Sequence, residues 1–114
     1  MRLREKQSHF ARMVAKLITH ATSEGYEVTL GDTYRDPRSH GKQGVKISYG
    51  RSVSAHKNRL AIDLNLFRDG VYLTSSADHK KLGKYWKKMG GTWGGDFKPG
   101  ADGNHYSLKH NGVA

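Results

Sequence analysis

The stretch SAHKNRLAIDLNLFRDGVYL, Ser54 to Leu73, decides how this chain folds. Leu60, Ile62, Leu64 and Leu66 alternate with Ala61, Asp63, Asn65 and Phe67, the two-residue period of a strand with one buried face. Asp63 therefore points away from the leucine face. Asp69 and Gly70 follow, a pair suited to a two-residue hairpin turn whose central positions need positive φ. Val71 to Leu73 is predicted to return as the partner strand.

Working outward, Phe10, Met13, Val14, Leu17, Ile18 and Ala21 recur at helical spacing, which predicts an amphipathic helix from about Glu5 to Ser23, ended by Gly25. Tyr26, Val28 and Leu30 alternate with polar residues as a short strand before Gly31. Residues 32–53 are polar and rich in Gly, Ser and Arg; a loop of that length in a small domain is often functional. Beyond the hairpin, Ser75 or Ser76 can cap a second helix whose buried stripe is Leu82, Tyr85, Trp86 and Met89, with Gly90 and Gly91 ending it. A last strand, about His105 to Leu108, is expected beside the Asp63 strand. No repeat, linker or low-complexity segment interrupts the pattern. The expectation is one α+β domain over residues 1–114, a small antiparallel sheet packed with two or more helices.

Composition narrows the function. A chain of 114 residues has room for one hydrophobic core. No apolar run approaches the ~18 residues a membrane span needs. The opening MRLREKQSHF is basic but has no apolar segment after it, so no secretory signal is expected. With no cysteine there is no disulfide framework, thiolate metal site or cysteine nucleophile. Twenty Lys and Arg against ten acidic residues give a net charge of +10, which draws the protein to polyanions, whether nucleic acid or the phosphate-rich polymers of a bacterial envelope. Lys80, Lys84, Lys87 and Lys88 fall on one side of the second helix and read as a solvated face.

The chemistry-bearing residues sit at the two ends of the pattern. His56 and Asp63 are joined in the sequence by DGNHY, Asp102 to Tyr106. Two histidines and two aspartates make three zinc ligands and one carboxylate to spare, and a catalytic zinc site wants both: three protein ligands with an open position, and a base for the attacking water. The spacing from His56 to Asp63 is too long for a one-turn helical pair and suits a loop residue followed by a strand residue. Gly103 and Asn104 allow a tight turn that brings Asp102 and His105 to one point. Asp96 competes with Asp102 for the base, or orients a bound histidine. Ser54 can hydrogen-bond a ligand or form a turn. Trp93 reads as an aromatic anchor, with Gly94 and Gly95 letting the backbone come close to the cleft. His9, His20, His40, His79 and His110 have no partner at useful spacing and read as surface or structural.

Ser54, His56, Ala61 and Asp63, then Trp93, Gly94, Gly95, Asp96 and Phe97, then Asp102, His105 and Tyr106, form an ordered set of blocks. This set resembles the zinc peptidases of the D-alanyl-D-alanine carboxypeptidase family, and within it the phage endolysins that cut the L-alanyl-D-glutamate bond of the peptidoglycan stem peptide. The likeness runs from about Tyr34 to Leu108. It implies one catalytic Zn2+ held by His56, Asp63 and His105, and Asp102 as general base. It also implies a role for Arg35, in TYRDPR, on the substrate or the developing oxyanion, with Arg38 as a nearby competitor. Further implications are a monomer acting on the stem peptide, made in the host cytoplasm and reaching the wall after permeabilisation of the membrane, with no nucleic acid as partner. No separate wall-binding domain is expected; net positive charge would partly replace it on anionic envelope polymers. The chain departs from the usual pattern in having KNRLA where relatives carry a small residue, often glycine, after the first histidine. That places Lys57 and Arg59 near the site. The alternatives are a D,D-carboxypeptidase of the same family and, more distantly, a basic nucleic-acid-binding protein or metal-dependent nuclease.

Overall fold

The sheet is built on β2, Ala61–Arg68, the strand of alternating leucines. In the computed structural model, which describes residues 1–36, 42–44 and 54–114, five strands join this sheet among the described residues. β1, Glu27–Leu30, runs antiparallel along one edge of β2, with Val28 opposite Leu66. β3, Val71–Leu73, and β5, His105–Ser107, lie one after the other along the opposite edge. The short β4, Thr92–Trp93, pairs with β5 and completes the order β1-β2-β5-β4. The turn between β2 and β3 is the predicted one, with Asp69 and Gly70 both at positive φ, 52° and 77°.

The leucine face of β2 is fully covered. Leu60, Leu64 and Leu66 are buried together with Ile62, and Phe10, Met13, Leu17 and Ala21 of helix α1, Leu3–Ser23, belong to the same core. The helix begins two residues before the expected start and ends where Gly25 takes φ +90°. The second helix is preceded by a 3₁₀ turn, Ser76–His79, and becomes α-helical as α2 over Lys80–Lys88. Ser75 provides the cap: its side chain accepts from Asp78 N while the Asp78 carboxylate accepts from Ser75 N. From α2, Leu82 and Trp86 enter the core, and Trp86 Nε1 donates to the Ser107 carbonyl at 2.9 Å. Tyr106 packs there as well, as the alternation with His105 requires.

His79 is structural, as expected from its lack of partners in the sequence. It is buried, and its Nδ1 lies 2.7 Å from the Tyr106 hydroxyl. Burial lowers its pKa below the ordinary 6.5, against a smaller opposing pull from Asp78. Below pH 6.5 the unfolded chain therefore takes up a proton that the folded chain resists. The stability in question is complete above 6.5 and is lost as the pH falls from there toward the folded value. The melting temperature of the metal-free protein is expected to drop between pH 7.5 and 5.5, with a shallower drop in His79→Gln. Parallel melting curves for the two proteins would show that His79 plays no part.

Candidate metal centre and active site

Strand register places the first two functional side chains. In the β2–β5 pair Ile62 faces Tyr106 and Asp63 faces His105, so one couple enters the core and the next stands on the opposite face. Asp63 is held from both sides: its backbone exchanges hydrogen bonds with Gly31 N and Asp32 O at 2.7 and 2.8 Å, and β5 flanks its other edge. His56 comes from a 3₁₀ turn, Ala55–Asn58, capped by the Ser54 hydroxyl and ended by Arg59 in the left-handed region. The sequence from Ser54 to Asp63 thus supplies a turn and then a strand, as its spacing predicts.

The three side chains converge. Ligand atoms of His56, Asp63 and His105 lie within 4.8 Å of one another. His56 Nε2 is 3.3 Å from Asp63 Oδ1, and His105 Nδ1 is 3.6 Å from the same oxygen. Two atoms bound tetrahedrally to one zinc at the usual N and O distances stand about 3.3–3.6 Å apart. His56 Nδ1 lies 3.1 Å from the Thr33 carbonyl, an acceptor, so the proton of a neutral imidazole belongs on Nδ1 and the Nε2 lone pair faces the carboxylate. His56 Nε2 and Asp63 Oδ1 are both buried without a hydrogen-bond partner among the described residues. Two buried acceptors facing each other are unfavourable unless a cation or a proton lies between them. The donor set of nitrogen and oxygen, its spacing and its orphaned atoms all fit zinc. Burial alone would raise the Asp63 carboxyl, but the adjacent His105 and His56, as polar partners and as charges, outweigh it and hold the pKa at about 2. Asp63 is an anion at any working pH.

Beside these side chains lies a cleft of about 160 Å³ lined by Arg35, Ser54, His56, Phe97, Asp102, His105 and Ala114. Asp102 is exposed, and its carboxylate makes no hydrogen bond or ion pair among the described residues. It reaches the cleft through the tight turn expected of DGNH, in which His105 N donates to Asp102 O at 3.1 Å. Two glycines make this turn fit. A Cβ on Gly94 would run into the Asp102 carbonyl and the His105 side chain, and one on Gly103 would run into Ser76. Gly95, by contrast, makes room for the Trp93 ring. Trp93 is the anchor its position suggested, buried and donating to the Gly103 carbonyl at 2.7 Å.

Arg35 reaches the same cleft. Its Nη1 donates to Ser54 Oγ at 2.9 Å, and its Nε lies 3.7 Å from Asp32. The Ser54 hydroxyl also accepts from His56 N, so one serine joins the arginine to the turn that carries His56. Asp96 is exposed and pairs with Lys87 at 2.8 Å, rather than with either histidine of the triad. Lys57 Nζ donates to the Lys42 carbonyl, and the Arg59 guanidinium lies 4.0 Å over the Tyr34 ring. Arg38 and His40 lie outside the described residues.

One contributor carried no signal in the sequence. Gln43 grips the backbone of Ser54 with both ends of its amide: Oε1 accepts from Ser54 N at 2.7 Å and Nε2 donates to Ser54 O at 2.8 Å. A side chain that imitates a strand partner leaves no periodic trace, and its spacing to Ser54 matches no motif. Gln43→Ala is expected to weaken metal binding about tenfold, in the range for groups that orient ligands. Competition with a chromogenic chelator measures this, and unaltered affinity would show that the 3₁₀ turn holds His56 without help.

A His-Asp-His set converging beside an accessible carboxylate is an arrangement that metal-dependent hydrolases use. A family model described as D-alanyl-D-alanine carboxypeptidase matches residues 48–108, more than half of the chain. The chain belongs to this family of peptidases. Among solved structures it is similar to the L-Ala D-Glu endopeptidase ChiX of Serratia marcescens, with a TM-score of 0.63 over 96% of this chain and 87% of that one. The two are 17% identical, so this likeness is one of fold. No curated protein sequence matches the chain.

Proposed function

We propose that this protein is a zinc-dependent peptidoglycan hydrolase of the endolysin type, cutting the L-alanyl-D-glutamate bond of the stem peptide. The observation that carries the reading is the convergence of His56, Asp63 and His105 on one buried point, beside a cleft that also holds Asp102 and Arg35. The choice of bond is supported by the fold shared with ChiX and by the sequence blocks that resemble the phage enzymes.

His56, Asp63 and His105 would hold the ion, and the chemistry it supplies there is Lewis acidity toward a carbonyl and a water acidified to a pKa of about 7. Asp102 receives a proton from the attacking water and returns it to the leaving amine. Exposure of its carboxylate to the cleft, with no hydrogen bond or ion pair to it among the described residues, leaves it available for both transfers. Arg35 is held by Ser54 and Asp32 before substrate arrives, so a preorganised cation faces the charge that grows on the carbonyl oxygen. The net charge of +10 favours approach to an anionic envelope, where the enzyme would act once the membrane is permeable.

The family description favours a second reading, removal of terminal D-alanine by a D,D-carboxypeptidase with the same zinc chemistry. Digestion of purified peptidoglycan, followed by mass spectrometry of the products, separates the two. New alanine carboxyl ends with matching glutamate amino ends are expected. Free D-alanine as the product would replace the endopeptidase by the carboxypeptidase.

A further inference from the structure

A second cavity, of about 200 Å³, shares Asp102 with the first and is not lined by Arg35. It is framed by the segment joining β3 to the Ser76–His79 turn and by the turn 101–104. Asp102 lines both cavities, so each adjoins the position of a scissile amide placed at Asp102.

The two cavities differ in chemistry. The first contains the Arg35 guanidinium beside the Ser54 hydroxyl. In the second, no Lys or Arg is among the described lining residues; Asp102 is its carboxylate, the His79 ring is engaged through Nδ1 with the Tyr106 hydroxyl, and the wall carries Thr74, Asn104 and Tyr72. The side chains of Thr74 and Asn104 make no hydrogen bond among the described residues, whereas neighbouring Ser75 and Ser76 are committed to Asp78 and to Gly103 N. Tyr72 is half exposed on β3, and its ring is supported from below by Phe67 at 5.1 Å. A hydroxyl, an amide and an aromatic plate around a cavity with no Lys or Arg among the described lining residues suit a neutral, hydroxyl-rich ligand and disfavour a carboxylate.

The proposed substrate has the same asymmetry. On one side of the cleaved bond is D-glutamate, which keeps one free carboxylate while its other carboxyl is amide-linked to the diamino acid; on the other is L-alanine, whose nitrogen is amide-linked to the lactyl ether of an N-acetylated sugar. We infer that the Arg35 cavity takes the glutamate side and that the cavity of Tyr72, Thr74 and Asn104 is a subsite for that sugar. This rests on the endopeptidase reading and deepens it: the enzyme recognises the glycan attachment point as well as the peptide.

The test compares two soluble substrates with one peptide sequence, L-alanyl-D-glutamyl-diamino acid, carrying either the muramyl sugar or an acetyl group on the alanine nitrogen. For the wild type, kcat/KM is expected to be about tenfold higher with the sugar, the effect of one or two well-formed contacts. Tyr72→Ala and, separately, Thr74→Val should each lower this ratio, and Asn104→Ala combined with Tyr72→Ala should bring it near one. Equal kcat/KM for both substrates in the wild type, or variants that leave the ratio unaltered, would overturn the sugar subsite while the endopeptidase reading stands. Cleavage of neither substrate by an enzyme that releases D-alanine from a pentapeptide would overturn both.

Discussion

Asp63→Asn is expected to bind zinc about 1,000-fold more weakly than the wild type and to show no measurable hydrolysis of peptidoglycan. The carboxylate is the one anion of the triad, ionised throughout the working range because its pKa lies at about 2. Its Oδ1 is the atom on which both histidines converge, at 3.3 and 3.6 Å. An amide keeps the shape but loses the charge and can turn an N–H toward the ion. The loss should exceed the about 10–100-fold typical of a group that only orients a ligand. With its backbone pinned by Gly31, Asp32 and the β5 pairing, the strand should survive the change, so circular dichroism of the metal-free variant should match the wild type. Full zinc affinity in this variant would remove Asp63 from the ligand set.

Asp102→Asn is the complementary case. Its zinc affinity should stay close to the wild-type value, while kcat falls by roughly 100-fold to 10,000-fold, the range for loss of a positioned general base. Asparagine has no site for the proton that leaves the water. Because the Asp102 side chain is exposed and makes no hydrogen bond among the described residues, the substitution should cost little stability. Asp96→Asn is the control, since its carboxylate is engaged with Lys87 at the surface and should be dispensable for turnover. A collapse of activity in Asp96→Asn with Asp102→Asn intact would exchange their roles. Loss of zinc from Asp102→Asn would make it a ligand.

The parts of this site that could be read from the sequence are those that depend on strand geometry. Alternation of leucines fixed the face on which Asp63 stands, and the Asp69-Gly70 pair fixed the end of β2. A last strand at about His105 to Leu108 was expected beside the Asp63 strand, and the observed register sets His105 opposite Asp63. What the sequence concealed depends on contacts between distant side chains and backbone. Nothing in GKQG announces that Gln43 will hold Ser54, or that the Ser54 hydroxyl will join Arg35 to His56 N. The separate tasks of Gly94 and Gly95 were equally hidden, since the two side chains are the same and their neighbours are not. The two-residue strand Thr92–Trp93 is too short for any period to show. Asp102 and Asp96 could not be separated by residue type, and their settings in the fold distinguish them: one lines the cleft, the other pairs with a lysine.

Zinc titrated into chelator-treated wild-type protein, with bound ion counted by native mass spectrometry and peptidoglycan hydrolysis followed in the same samples, tests most directly whether His56, Asp63 and His105 form the catalytic centre. Activity should be absent at the start, rise in proportion to bound zinc and level off at one ion per chain. Hydrolysis at full rate with no ion bound, or tight zinc binding that leaves hydrolysis unaltered, would contradict it.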